Sequence, residues 1–188
     1  MPTSSPQLKD ASPLSAPTHV EDMGPLKFIS ELGRSLLFTV HPKKAAACVT
    51  ESVRQGVDAR LCVFVAELES IGLISSAFGG DGEIEDAVLR RGRFEKWLHF
   101  MPPQIGYTER EPDEFLAGGD HTVEYVSPLH IDGEIKGALV VCFGDEGEIT
   151  EHVTRIIDAA TQMAAMSVNL SAHYETALND SLHEAREE

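Results

Sequence analysis

The stretch from Val123 to Phe143, VEYVSPLHIDGEIKGALVVCF, constrains the fold more than any other part of this chain. It reads as two strands joined at Asp132-Gly133, a dipeptide that accepts the positive φ angles of a two-residue hairpin turn. Pro128 falls in the first strand and Gly137 in the second. From about Glu148 the period changes to that of a helix. Glu146, Glu148 and Glu151 suit its positive N-terminal end. Val153, Ile156, Ile157, Ala160, Met163 and Ala164 form an inward stripe. A weaker stripe, Leu170, Tyr174, Ala177, Leu178, Leu182 and Ala185, continues past the span that one domain covers. Unbroken, this helix would run roughly 55–60 Å at about 1.5 Å per residue, so its C-terminal half is expected to project and pair with another helix.

Upstream, residues 1–23 are rich in Ser, Pro and Thr with few large apolar residues, and they are expected to be disordered. After Gly24-Pro25, the residues Leu26, Ile29, Leu32, Leu36, Leu37 and Val40 predict a first amphipathic helix. Pro42 suits the first turn of a second, which turns Ala45, Cys48, Val49, Ser52 and Val53 inward and stops near Gly56. Leu61–Val65 is apolar throughout and reads as a central strand, with Ile71–Phe78 as its hairpin partner. Gly79-Gly80-Asp81-Gly82 reads as a loop, and 83–100 as helical. Residues 101–119 are mostly irregular, with a short strand expected around 104–108; a loop this long inside a compact domain is commonly a binding element or lid.

A chain of 188 residues with 42% hydrophobic and 24% charged content is one domain with extensions, divided as 1–23, 24–168 and 169–188. The net charge of −16 is repelled by phosphate backbones and anionic membranes, so neither nucleic acid nor membrane is an expected partner. No apolar run approaches the roughly 20 residues of a membrane helix, and the N-terminus lacks the pattern of a secretion signal, which predicts a cytoplasmic protein. Cys48, Cys62 and Cys142 are widely spaced and flanked by apolar residues, as buried structural thiols are.

From Phe28 to about Ala177 the chain resembles the GAF domain family, small-molecule sensory modules of signalling proteins. GVDARLCVFVAE (Gly56–Glu67) is similar to the family's helix end and first strand. VSPLHIDGEIKGALVVCF (Val126–Phe143) is similar to its Val-Pro-Leu strand, turn and following Gly-containing strand. The resemblance implies an α+β, GAF/PAS-like domain with a central antiparallel β-sheet of five to six strands. The N- and C-terminal helices would cover one face, and a ligand cavity roofed by residues 79–119 the other. It also implies a homodimer formed through the terminal helices. Three specialised patterns are missing. The only asparagines are Asn169 and Asn179, so the cyclic-nucleotide motif is absent; no Cys-His pair exists for a bilin; and Phe64–Val141 holds no cysteine of the kind that free methionine sulfoxide reductases use.

Arg90, Arg91, Arg93 and Lys96 cluster around Phe94 and Trp97, where the resemblance puts the cavity roof. Arginine forks match carboxylate and phosphate, so the cluster could hold an anionic ligand; equally, its charges could form a solvated helix face. The expected ligand-binding residues are Arg90 and Arg93 as anchors, Phe94, Trp97 and Tyr107 as apolar walls, and His121. Gly79–Glu83 lacks the lysine and hydroxyl of a phosphate-binding loop. The eight histidines are scattered, and no metal site is expected; His99 and His121 are the two that could converge in the cavity. No catalytic residue is predicted, and the sequence names no cofactor. The expected function is a non-enzymatic sensor that binds an unidentified small molecule and relays the event through paired helices. The alternatives are a ligand-free dimerisation scaffold and, third, a small-molecule enzyme on the same fold.

Overall fold

The computed structural model describes residues 24–84, 89–100 and 115–187. Two helices, α1 (Pro25–Leu37) and α2 (Pro42–Gly56), each open on a proline in the first turn, where a missing N–H has no helical partner to lose. Phe28, Leu32 and Leu36 stand at four-residue steps and are buried. Leu26, Leu37 and Val40, which the spacing assigned to the same stripe, are instead exposed. At 100° per residue Leu26 and Leu37 fall on the opposite flank of the helix, and Val40 lies past its end. On α2 the inward residues are Ala45, Ala46, Val49, Thr50 and Val53, with Cys48 half-buried.

The sheet is antiparallel throughout, in the order β3-β2-β1-β5-β4. Its strands are β1 (Leu61–Leu68), β2 (Gly72–Gly79), β3 (Gly82–Ile84), β4 (Val123–Ile131) and β5 (Glu134–Phe143). Four are full-length and the fifth, β3, is a three-residue ribbon at one edge, so four strands carry the sheet and the expected five to six is reached only by counting that ribbon. The Gly79–Gly82 stretch is the turn into that ribbon, with Gly79 paired to Gly82. Among the described residues, the helix expected over 83–100 is found as α3 (Arg91–Phe100), since 83–84 belong to β3 and Leu89 is committed to a bridge with Ala117. The strand expected at 104–108 lies outside the described residues.

Asp132 (φ 53°) and Gly133 (φ 84°) make the β4–β5 turn that their residue types predict. Pro128 is accepted in mid-strand because β4 is an edge and needs no donor on its outer side. Gly137 pairs with Ala66. A Cβ there would run into the Val65 carbonyl oxygen and lie 2.8 Å from Ala66 Cα.

Alternate residues of β1 and β5 serve two cores, which is why LCVFV is apolar without a break. Cys62, Phe64, Leu139, Val141 and Phe143 pack against α1, α2 and the last helix, α4 (Glu151–Glu187). Leu61, Val63, Val65, Val140 and Cys142 pack against Phe94 and Trp97 of α3 and against Leu116. Thr150 caps α4, its Oγ1 accepting from the Val153 N–H at 3.2 Å. Burial along α4 runs from Ile156 to Ala172. Its 37 residues span about 55 Å, and the final turns extend beyond the core.

Candidate functional site

Glu124 is a charged residue inside a strand buried along nearly its whole length, and it is only 1% exposed. A bare carboxylate there would be costly, and three donors offset the cost. The backbone N–H groups of Leu116 and Ala117 donate to it at 2.9 and 2.8 Å. His121 Nε2 lies 3.2 Å from its Oε1. The imidazole stacks on Phe115, with ring centres 4.7 Å apart, and its Nδ1 is buried without a hydrogen-bond partner among the described residues. Cys142 stands directly across from Glu124 on β5. Burial, then the Glu124 charge, then Cys62 push the Cys142 thiol pKa well up.

The 115–117 segment that feeds Glu124 is stitched to α3. Leu89 bridges to Ala117, the Arg90 N–H donates to the Leu116 carbonyl at 2.9 Å, and Arg93 Nη1 donates to the Phe115 carbonyl at 3.1 Å. On the other side of β4, Tyr125 Oη donates to both oxygens of Asp158 on α4 at 3.0 Å, and Ser127 Oγ donates at 2.7 Å. Burial and the Asp158 charge raise the Tyr125 pKa. Hydrogen bonds and one strand therefore connect α3 to α4 without a gap.

The expected ligand residues are dispersed by the fold. Phe94 and Trp97 are 2% and 8% exposed, stack with centres 5.9 Å apart, and belong to the second core. Arg91 and Lys96 point outward; Arg90 and Arg93 are half-buried. His121 meets Glu124, while His99 is exposed. Tyr107 lies outside the described residues. Glu124, Tyr125 and Asp158 were not singled out by the sequence, and Cys142 was read only as a buried structural thiol. The signals were there: an acid in the apolar run VEYV, and another in the stripe IIDAA.

A second surface lies between α1 and α4. Leu36, Leu37, Val40, Met166, Leu170 and Tyr174 line an apolar groove of about 820 Å³. On α4, Met166, Leu170, Tyr174, Leu178 and Leu182 are exposed at successive four-residue steps. No described helix is long and apolar enough to cross a membrane.

No family model matches the chain, and neither does any curated protein. Solved structures do match. The free methionine-R-sulfoxide reductase of Neisseria meningitidis, in complex with its substrate, is 13% identical with a TM-score of 0.59, over 87% of this chain and 98% of that one. The GAF domain of an Acinetobacter phosphoenolpyruvate-protein phosphotransferase is 10% identical with a TM-score of 0.54, over 77% and 92%. A phycoerythrobilin-bound GAF domain of a cyanobacterial phytochrome is 10% identical with a TM-score of 0.51, over 81% and 97%. The chain has a GAF-like α+β fold.

Proposed function

We propose that the chain is a non-enzymatic sensory module that binds a small molecule over the α3 face of the sheet and passes the event to α4. The observation that carries this reading is the alternation along β4. Glu124 holds the N–H groups of the α3-linked segment, and its neighbours Tyr125 and Ser127 hold Asp158 of α4. A ligand that moves 115–117 against α3 loads β4, and β4 bears on the helix. It does so by preferring one of two arrangements, since only differential affinity shifts an equilibrium. Arg90 and Arg93, half-buried at the start of α3, favour an anionic ligand. The reductase and the bilin-bound domain are instances of small molecules held by this fold. In this reading the module acts in the cytoplasm as a homodimer, with the second copy covering the α1–α4 groove.

A ligand-free scaffold is the second reading, favoured by the close burial of Phe94 and Trp97. The native mass spectrum of the freshly purified chain separates the two. The sensor reading expects twice the chain mass plus a reproducible small-molecule adduct. A dimer that stays bare, even when small-molecule extracts are added back, selects the scaffold. A monomer overturns both readings.

A further inference from the structure

We propose that His121, Glu124 and Cys142 form a binding site for a borderline-soft divalent metal ion, zinc by ligand type. Glu124 and Cys142 are cross-strand partners on β4 and β5, so their side chains leave the same face of the sheet. His121 reaches that face from the loop just before β4. One ligand atom from each residue lies within 4.8 Å of the other two, and all three residues are buried.

The geometry suits an ion. Two ligands bound at about 2.0–2.1 Å on a tetrahedral ion stand roughly 3.3 Å apart. The His121 nitrogen and Glu124 oxygen already stand at 3.2 Å. A zinc–thiolate bond of about 2.3 Å sets the sulfur edges near 3.6 Å, so Cys142 Sγ needs to move by about 1 Å at most, a small side-chain rotation. With His121 Nε2 bound to the ion, Glu124 Oε1 keeps the Ala117 N–H and has a lone pair for the ion, while the Leu116 N–H holds Oε2. The Leu116 and Ala117 N–H groups then act as the outer contacts that orient a ligating carboxylate.

A second observation is independent of this spacing. A histidine serving only to satisfy Glu124 would be expected to have both ring nitrogens occupied, yet Nδ1 is buried and unpartnered among the described residues. The ring stacks on Phe115 with Nε2 already facing Glu124, so an ion taken by Nε2 leaves Nδ1 to carry the imidazole proton. The donor set decides the metal. Thiolate and imidazole select zinc-like ions over calcium and magnesium, which take oxygen. Three protein donors leave the fourth position open, the arrangement of zinc sites that bind an exogenous ligand. On binding, Cys142 gives up its thiol proton to solvent, and the ion offsets the thiolate charge. Gly119 and Asp120 are exposed beside His121 and provide the way in.

The test uses the full chain, stripped of metal by a chelator and titrated with Co²⁺. One equivalent is expected to give a thiolate-to-cobalt charge-transfer band in the near ultraviolet, which one equivalent of Zn²⁺ then erases. Cys142→Ser should abolish the band, His121→Gln should weaken Co²⁺ binding at least tenfold, and Cys48→Ser should change neither. Co²⁺ binding without a thiolate band, or a band that survives Cys142→Ser, overturns the site. Should Cys142→Ser fail to fold, His121→Gln decides: unchanged Co²⁺ affinity in that variant overturns the proposal.

Discussion

At the scale of single residues, the most restrictive position is Gly137. The atoms a Cβ would meet there are backbone of β1, in the centre of the sheet, and backbone cannot rotate aside. Gly137→Ala is expected to cost about 3 kcal/mol or more, at the upper end for overpacking a core. Urea unfolding measures it, and a loss under about 1 kcal/mol would mean that β1 and β5 separate easily. At Gly133 the difficulty is conformational instead, since φ is +84° with open space around it. Gly133 was legible in the sequence because its reason is local, whereas Gly137 was legible only as a glycine within a strand, its reason being the backbone of β1. Glu124 was not legible. Its principal partners are the main-chain N–H groups of Leu116 and Ala117, and a main-chain donor leaves no trace in residue type. Phe94 and Trp97 meet a related limit. Helical spacing identifies an apolar face without saying whether a cavity or a solid core lies against it.

Among the elements, β4 is the one with two loyalties. Its Glu124 side holds the α3-linked segment, and its Tyr125 side holds α4. Glu124→Gln and Asp158→Asn, made separately and together, should therefore be non-additive in unfolding free energy by at least about 0.5 kcal/mol. The two side chains lie on opposite faces of the sheet, so strict additivity would remove β4 as a connection. The exposed row on α4 makes a separate point. Met166, Leu170, Tyr174, Leu178 and Leu182 follow a four-residue ridge, not the alternating three-and-four steps of a coiled-coil seam. Ridges of this kind interdigitate at about −50°. Paired α4 helices in a dimer should thus cross and diverge. Spin labels at residue 182 of the two copies are expected to be much farther apart than labels at 166, and equal spacing would indicate parallel strapping instead. The sequence showed this stripe from Leu170 onward, as the weaker of two on the helix, and did not include Met166. It hid β3, since a Gly-rich run is the same in a loop and in a tight turn between strands.

For the whole molecule, the titration of buried groups gives a direction in pH. Burial raises the pKa of Cys48, Cys62, Cys142 and Tyr125. In the metal-free chain the folded state keeps, in each case, a proton that the unfolded chain gives up at the ordinary value, about 8.5 for a thiol and 10 for a phenol. Their stabilisation is complete below those values and is lost as pH rises through them, by up to about 1.4 kcal/mol per pH unit for the fully buried Cys62 and Cys142, with solvent screening making the half-buried Cys48 contribute less. The urea midpoint should hold steady from pH 7 to 8 and fall steadily above 8.5. Cys62→Ala should lower the midpoint yet flatten the fall. A fall of unchanged steepness in that variant would trace the effect to general repulsion in a chain of net charge −16.

If α4 carries the proposed relay, its length beyond its last buried residue makes it an amplifier. Ala172 acts as the fulcrum, and the fifteen residues that follow form an arm of about 22 Å. A tilt of about 10° at the fulcrum swings the tip by roughly 4 Å, close to the 5.4 Å pitch of one helical turn. Displacements too small to disturb a packed sheet are thus enlarged, at the far end of the rod, to the size of a side chain.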